Sequence, residues 1–243
     1  MKISFRHGWA MLSAAVLSLT ALPLSAVSSV TSLSAAAAAA PVVENLDRGI
    51  VAIKSGNGML VSWRFLASDP TGTEFRLYRD DQLLMTSKGD EATCFYDESG
   101  SASARYRVDS LVNGTVQTTS TCSLISGTDY FQIPMDVPTA SDCTYSPNDC
   151  SVGDVDGDGV YELFVKWDPS NSKDNSQKGK TGNVYIDCYK LTGEKLWRID
   201  MGKNIRAGAH YTQFMVFDLD GDGKAEVVMK TSDGTKDGKG KII

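Results

Sequence analysis

Asp154-Val-Asp156-Gly-Asp158-Gly-Val-Tyr-Glu162 returns, nearly unchanged, as Asp218-Leu-Asp220-Gly-Asp222-Gly-Lys-Ala-Glu226. Each stretch reads D-x-D-G-D-G-x-x-E. Three carboxylates at alternate positions can converge on one centre, and the glycines permit the tight bend this requires. Such an oxygen-rich loop suits Ca²⁺, which takes 6–8 oxygen ligands. A solvated acidic turn would explain one copy. It does not explain why the same nine-residue pattern recurs 64 residues later.

The flanking residues identify the loops as hairpins. Leu163-Phe-Val-Lys-Trp167 follows the first, and the second lies between Gln213-Phe-Met-Val-Phe217 and Val227-Val-Met-Lys230. These short apolar runs read as strands. An EF-hand is excluded. The closing acid stands at the ninth position, the twelfth positions are Val165 and Met229, and no helical pattern flanks either loop. Two further strand candidates, Asn183-Val-Tyr-Ile-Asp-Cys-Tyr189 and Lys195-Leu-Trp-Arg-Ile199, lie between the loops. Strand, acidic hairpin and three more strands make one four-stranded blade, so the repeat predicts a β-propeller. The 64-residue spacing exceeds the usual blade of about 40–50 residues. The polar run Pro169–Gly182 is the obvious insertion. Two repeats do not close a propeller, so the chain is expected to be the N-terminal piece of a longer, truncated one.

Upstream, short strands and turns run from Val42 to about Ile125. Ser55-Gly-Asn-Gly58, Asp80-Asp81 and Asn113-Gly114 are hairpin signals between apolar runs. Tyr106 and Val108 alternate with Arg105, Arg107 and Asp109, the period of a half-buried strand. The expected fold class is therefore all-β. A fibronectin type III-like β-sandwich occupies 42–125, and the first blades of a calcium-binding β-propeller occupy 126–243. Trp63 is expected in the sandwich core rather than as a sugar-stacking platform. No catalytic constellation occurs in this first domain, which reads as a packing or spacing module.

Residues 1–40 read as a secretory signal peptide. Lys2, Arg6 and His7 start it, an apolar run follows from Trp9 to about Leu24, and Ala35–Ala40 offers cleavage positions. A secreted, extracellular protein is expected, with no membrane span after signal removal. The net charge is −6, and −8 without the segment carrying Lys2 and Arg6. That acidity disfavours nucleic acid and anionic membranes. The five cysteines include no C-x-x-C pair, and His210 is the one histidine beyond the signal, which argues against a Cys/His zinc site. Cys94–Cys122 and Cys143–Cys150 are conceivable disulfides, but the odd count favours buried free thiols.

Several longer motifs carry a resemblance. They are Tyr145-Ser-Pro-Asn-Asp149, Lys166-Trp-Asp-Pro-Ser-Asn-Ser-Lys-Asp-Asn175, Thr181-Gly-Asn-Val-Tyr185, Leu196-Trp-Arg-Ile-Asp200 and Gly202-Lys-Asn-Ile-Arg-Ala-Gly-Ala-His-Tyr-Thr-Gln213. With Leu46-Asp-Arg-Gly49 and Val61-Ser-Trp-Arg64, they closely resemble secreted bacterial rhamnogalacturonan lyases of polysaccharide lyase family 11. The resemblance implies an eight-bladed propeller with bound calcium. It implies β-elimination at galacturonate in the backbone of rhamnogalacturonan I, a pectic polysaccharide. It also implies that Asn148 and Asp168 contact the sugar.

The candidate calcium ligands are Asp154, Asp156, Asp158, the Val160 carbonyl and Glu162, and then Asp218, Asp220, Asp222, the Lys224 carbonyl and Glu226. Asp149 is a further candidate beside Asn148. With its ion saturated by four acids, each loop is expected to hold structural rather than substrate-bridging calcium. The resident candidates for proton transfer are Lys166, Arg206, His210 and Tyr211. Lys166 could simply face solvent and Arg206 could simply pair with a carboxylate. The base is expected beyond Ile243, which would leave this fragment inactive alone. A monomer is expected. The competing reading is a non-catalytic, calcium-stabilised propeller module that binds carbohydrate or protein.

Overall fold

The computed structural model describes residues 44–208 and 211–243. The predicted signal segment 1–40 and the candidate His210 lie outside the described residues. The described chain is all-β, and no helix in it is long and apolar enough to cross a membrane.

The first eight strands form two four-stranded sheets. One has the order β5(Cys94–Asp97), β2(Gly58–Ser62), β1(Val51–Ser55), β8(Leu124–Ser126), with β1 and β8 parallel. The other has the order β4(Gln82–Lys88), β3(Glu74–Arg79), β6(Tyr106–Val112), β7(Thr115–Thr121). Turn chemistry sets the hairpins. Asp80 and Asp81 (φ 45° and 68°) and Asn113 and Gly114 (φ 51° and 78°) all have positive φ, the geometry whose twist matches a two-residue hairpin. Ala52, Val61, Trp63, Phe75, Leu77, Tyr106 and Val108 form one core. Trp63 is buried against Phe75 with ring centroids 6.1 Å apart, which leaves it no face for a sugar ring.

The simple alternation expected of β6 fails at Asp109 and Ser110, which are both buried. Arg107 Nη1 donates to Asp109 Oδ1 at 3.0 Å, and Thr119 Oγ1 donates to it at 2.9 Å, so partners compensate the buried charge.

A second buried pair ties the segment before β1 to the β2–β3 loop. Arg48 Nη1 and Nη2 each donate to Asp69 at 2.5 Å, and the Leu66 N–H donates to Asp69 at 2.8 Å. Burial alone would raise the Asp69 carboxyl. The hydrogen bonds from Arg48 and Leu66 outweigh it and hold the group below its usual range. The unfolded carboxyl titrates higher, near about 3.9. The contribution to stability is therefore present above that pH and lost as pH falls through the lower folded value. Asp69→Asn is expected to cost about 1–3 kcal/mol at neutral pH and to flatten the acid limb of a plot of melting temperature against pH. An unchanged acid limb would contradict this.

Residues 127–144 form no strand. The next four strands are a meander: β9(Tyr145–Gly153), β10(Glu162–Pro169), β11(Tyr185–Tyr189) and β12(Lys195–Asp200), in the order β12-β11-β10-β9. A hairpin of β13(Phe214–Phe217) and β14(Glu226–Met229) follows. Pro147 is accommodated because β9 is an edge strand, where a missing N–H costs no ladder bond. The meander has two covered faces. Val165, Trp167 and Tyr189 pack against Met135, from the strandless segment. Val184 and Ile186 pack with Trp197, Ile199 and, from the following hairpin, Phe214 and Met229.

All five cysteines are free thiols, as favoured from their odd number, but burial is not general. Cys188 is buried, whereas Cys94 and Cys150 are exposed. Burial first, and then nearby carboxylates, push the Cys188 thiol up to about 12, which makes it inert.

Candidate functional site

The two acidic loops fold alike because their carboxylates cap their own backbones. Asp154 Oδ1 accepts the Gly157 N–H at 2.7 Å and Oδ2 accepts that of Gly159 at 2.8 Å. Glu162 Oε2 closes the loop on the Val155 N–H at 2.9 Å. The second loop repeats each bond: Gly221 to Asp218 Oδ1 at 2.8 Å, Gly223 to Asp218 Oδ2 at 3.0 Å, and Leu219 to Glu226 Oε2 at 2.9 Å. Gly157 and Gly159 (φ 80° and 86°) and Gly221 and Gly223 (φ 78° and 89°) sit in the left-handed region that favours glycine.

Carboxylate oxygens of Asp154, Asp156 and Glu162 lie within 4.8 Å of one another, and so do those of Asp218, Asp220 and Glu226. Asp158 and Asp222 stand outside these sets. Each accepts an N–H of its own loop, from Val160 at 2.8 Å and from Lys224 at 2.9 Å. The donor set fits a hard cation. Asp154 and Glu162 are both 1% exposed. Burial first, and then the charges of Asp156, Asp158 and Asp154, push the Glu162 carboxyl up. A bound cation would relieve this repulsion with oxygen-only coordination. Sequence reading missed Lys190, whose Nζ lies 2.6 Å from Asp156 Oδ2 and 3.6 Å from Asp158 Oδ2. It holds the Asp156 carboxyl below its usual range.

The first loop is also a junction. The Asp154 N–H donates to Glu44 Oε1 at 3.2 Å, and its carbonyl accepts the Ala225 N–H of the second loop at 2.6 Å. The Gly159 carbonyl accepts the Asp47 N–H at 2.8 Å, and the Arg64 guanidinium lies 4.3 Å from the Tyr161 ring centre. A single turn thus joins the segment before β1, the meander and the following hairpin.

The remaining candidates separate into different environments. Asn148 is exposed on β9, and Asp168 is half-buried near the end of β10. Lys166 does not face solvent. Its side chain is 2% exposed, and its ammonium donates to Asp149. Asp149 is thus engaged by Lys166, rather than grouped with the loop carboxylates that could share an ion. Arg206 does not pair with a carboxylate. It donates to the carbonyls of Lys173, Gly179, Asp174 and Gln177 at 3.2, 2.8, 3.0 and 2.5 Å, and so folds the inserted 169–182 loop around itself. Tyr211 is half-buried beside Gly208, whose carbonyl accepts its N–H at 3.4 Å.

A network centred on Asp187 also escaped the sequence reading. Its fully buried carboxylate accepts Trp167 Nε1 at 2.8 Å, the Tyr189 hydroxyl at 2.7 Å, and Arg198 Nε and Nη2 at 2.7 Å each. Burial, and then Asp187 itself, push the Tyr189 hydroxyl up to about 12. This network anchors Trp167, the residue next to Asp168.

Two family models match the chain. The one described as the rhamnogalacturonan lyase family 11 C-terminal domain covers residues 130–243, and the one described as the β-sheet domain of rhamnogalacturonan I lyases covers residues 41–124. The chain is 57% identical over 211 residues to rhamnogalacturonan endolyase YesW of Bacillus subtilis strain 168, over 84% of this chain and 34% of that protein. It is 51% identical over 207 residues to rhamnogalacturonan exolyase YesX of the same organism, over 83% of this chain and 34% of that protein. The crystal structure of YesW superposes with a TM-score of 0.74, covering 83% of this chain and 35% of that one. A rhamnogalacturonan lyase from Bacillus licheniformis superposes with a TM-score of 0.72 at 50% identity, again over 83% of this chain and 35% of that one. The chain therefore spans about a third of the length of these relatives. With both of its matched regions falling within the same group of lyases, the chain belongs to rhamnogalacturonan lyase family 11.

Proposed function

We propose that this chain is the N-terminal part of a secreted rhamnogalacturonan lyase that cleaves rhamnogalacturonan I by β-elimination. The carrying observation is 57% identity to an endolyase over nearly all of the described chain, including the strands that bear Asn148 and Asp168. The paired sheets around one core support a fibronectin type III-like sandwich at 42–125. The four-stranded meander and the hairpin with a matching acidic loop support a calcium-bound β-propeller from 126 onward. The two loops hold structural calcium, because their carboxylates turn inward on their own backbones.

Elimination transfers the galacturonate C5 proton to a base and builds negative charge toward the C6 carboxylate. The electron pair forms the C4=C5 double bond as the C4–O bond to the neighbouring sugar breaks, and the released oxygen takes up a proton. Bound calcium would supply rigidity to the loops. The residues of this chain bind and orient the sugar. The Asp168 carboxylate accepts hydrogen bonds from sugar hydroxyls, and the Asn148 amide can donate and accept. Holding the ring in a reactive geometry is worth a large share of the rate.

The full-length protein, incubated with rhamnogalacturonan I and calcium, is expected to release an unsaturated uronate product, read by its ultraviolet absorbance. Asp168→Ala should lower kcat/KM about 10- to 100-fold, the worth of a charged hydrogen bond, with melting temperature nearly unchanged. Saccharide binding without product would instead identify a carbohydrate-binding propeller.

A further inference from the structure

The pairing of β9 with β10 is irregular at one place. Val165 pairs with Cys150 and Trp167 with Pro147, so Lys166 faces two residues, Asn148 and Asp149. This is a β-bulge, a device that bends an edge strand and re-aims a side chain. Without it, strict alternation would send Asn148 and Asp149 to opposite faces. Asp168 pairs with Ser146 and shares a face with Lys166, two residues away. The bulge brings Asp149 to that face, where it meets the Lys166 ammonium. Asn148 lies on it too, two residues from Ser146.

The burial of this ion pair is one-sided. The Lys166 side chain is 2% exposed, whereas that of Asp149 is 60% exposed. Lys166 is sunk in the meander, with Ile186 as its β11 partner and the buried Phe164 two residues before it on the same face. A buried ammonium needs a compensating partner. It finds one on an exposed edge strand that would otherwise be held at the bulge by little more than its own backbone. Asn148 is thereby fixed from both sides, by the Pro147–Trp167 pairing and by the Asp149–Lys166 bond.

We propose that Lys166 is a positioning residue for the sugar site: by holding Asp149 it pins the bulge and keeps Asn148 on the same face as Asp168. It acts from beneath the site and transfers no proton. The inference rests on the reading of Asn148 and Asp168 as sugar contacts.

The test is a double-mutant cycle in the full-length protein. Both kcat/KM on rhamnogalacturonan I and binding of a rhamnogalacturonan oligosaccharide are measured. Lys166→Met fills the same space and leaves Asp149 free to be solvated. It is expected to lower kcat/KM on the order of 10-fold or more. In an Asn148→Ala background it should cost almost nothing further, whereas with Asp168→Ala the two losses should multiply. A purely structural lysine would give multiplying losses in both backgrounds. Parental kcat/KM in Lys166→Met, or multiplying losses with Asn148→Ala, overturns the inference. Should Lys166→Met fail to fold, Asp149→Asn weakens the same pair from its exposed side and is held to the same two criteria. A parent protein that neither cleaves nor binds the saccharide overturns the proposed function, and this inference with it. An active parent with multiplying losses overturns the inference alone.

Discussion

Asp187→Ala is expected to lower the stability of the protein by about 3–5 kcal/mol, the cost of breaking a buried charged network by removing one partner. The carboxylate is fully buried and accepts hydrogen bonds from Trp167, Tyr189 and both donors of Arg198 that reach it. Its loss strands a buried indole N–H and leaves the Tyr189 phenol and the Arg198 guanidinium hydrogen-bonded only to the Asp136 backbone. Arg198 also loses the hydrogen bond that leads the causes holding its proton more tightly than usual. In the full-length protein the loss should appear as a fall of roughly 10 °C in the melting transition of this region. Asp187→Asn keeps the volume and one acceptor, so it should fall less. If both variants melt with the parent, Asp187 does not anchor the meander.

The second large effect concerns the acidic loops, which are near-copies in sequence but not in surroundings. If both hold calcium as proposed, adding a chelator should lower the melting temperature. Ligand present at about 100 times its dissociation constant adds roughly 2.7 kcal/mol per site. Asp154→Asn should remove more of this increment than Asp218→Asn. Asp154 sits in the loop that bonds Glu44 and Asp47 upstream and Ala225 downstream, so slackening it releases more than its own hairpin. Identical melting of the parent with and without chelator would refute a cation in either loop. Equal effects of the two substitutions would refute the junction. Limited proteolysis of the segment before β1, residues 44–50, is a second readout, since cleavage there should accelerate in Asp154→Asn first.

Much of this architecture was legible residue by residue. Asp80-Asp81 and Asn113-Gly114 announce their turns because few residue pairs tolerate positive φ at both positions. The acidic loops announce hairpins because glycine spacing and flanking apolar runs leave little else for them to be. Strands β10, β11 and β12 were legible as short strand-forming runs, whereas β9, which carries Pro147 and few apolar residues, was not. Where the reading failed, the cause was the neighbour across the sheet. Asp109, Lys166 and Asp187 are all charged residues in strands, where alternation suggests a solvent-facing side. Each is buried and paired instead: Asp109 with Arg107 and Thr119, Lys166 with Asp149, and Asp187 with Trp167, Tyr189 and Arg198.

Arg206 shows the same limit. Its charge suggested a carboxylate partner, yet the inserted loop closes over it with carbonyls. The Lys190 contact with the first loop spans 34 residues, and the Glu44 contact spans 110. Such pairings carry no periodic signal.

The sequence alone therefore determined what local chemistry can determine: an all-β chain, its turns, two acidic loops whose carboxylates could share a cation, and a family. These depend on backbone conformations and donor atoms within a few residues of one another. Only the tertiary structure decided that the first loop bonds both the segment before β1 and its own copy, that Asp149 serves Lys166 rather than a metal cluster, and that a bulge sets Asn148 and Asp149 against Lys166. Those outcomes depend on register, on a two-against-one count between strands, and on which sheet face is covered. Register and coverage are relations between segments, and no single segment encodes its partner.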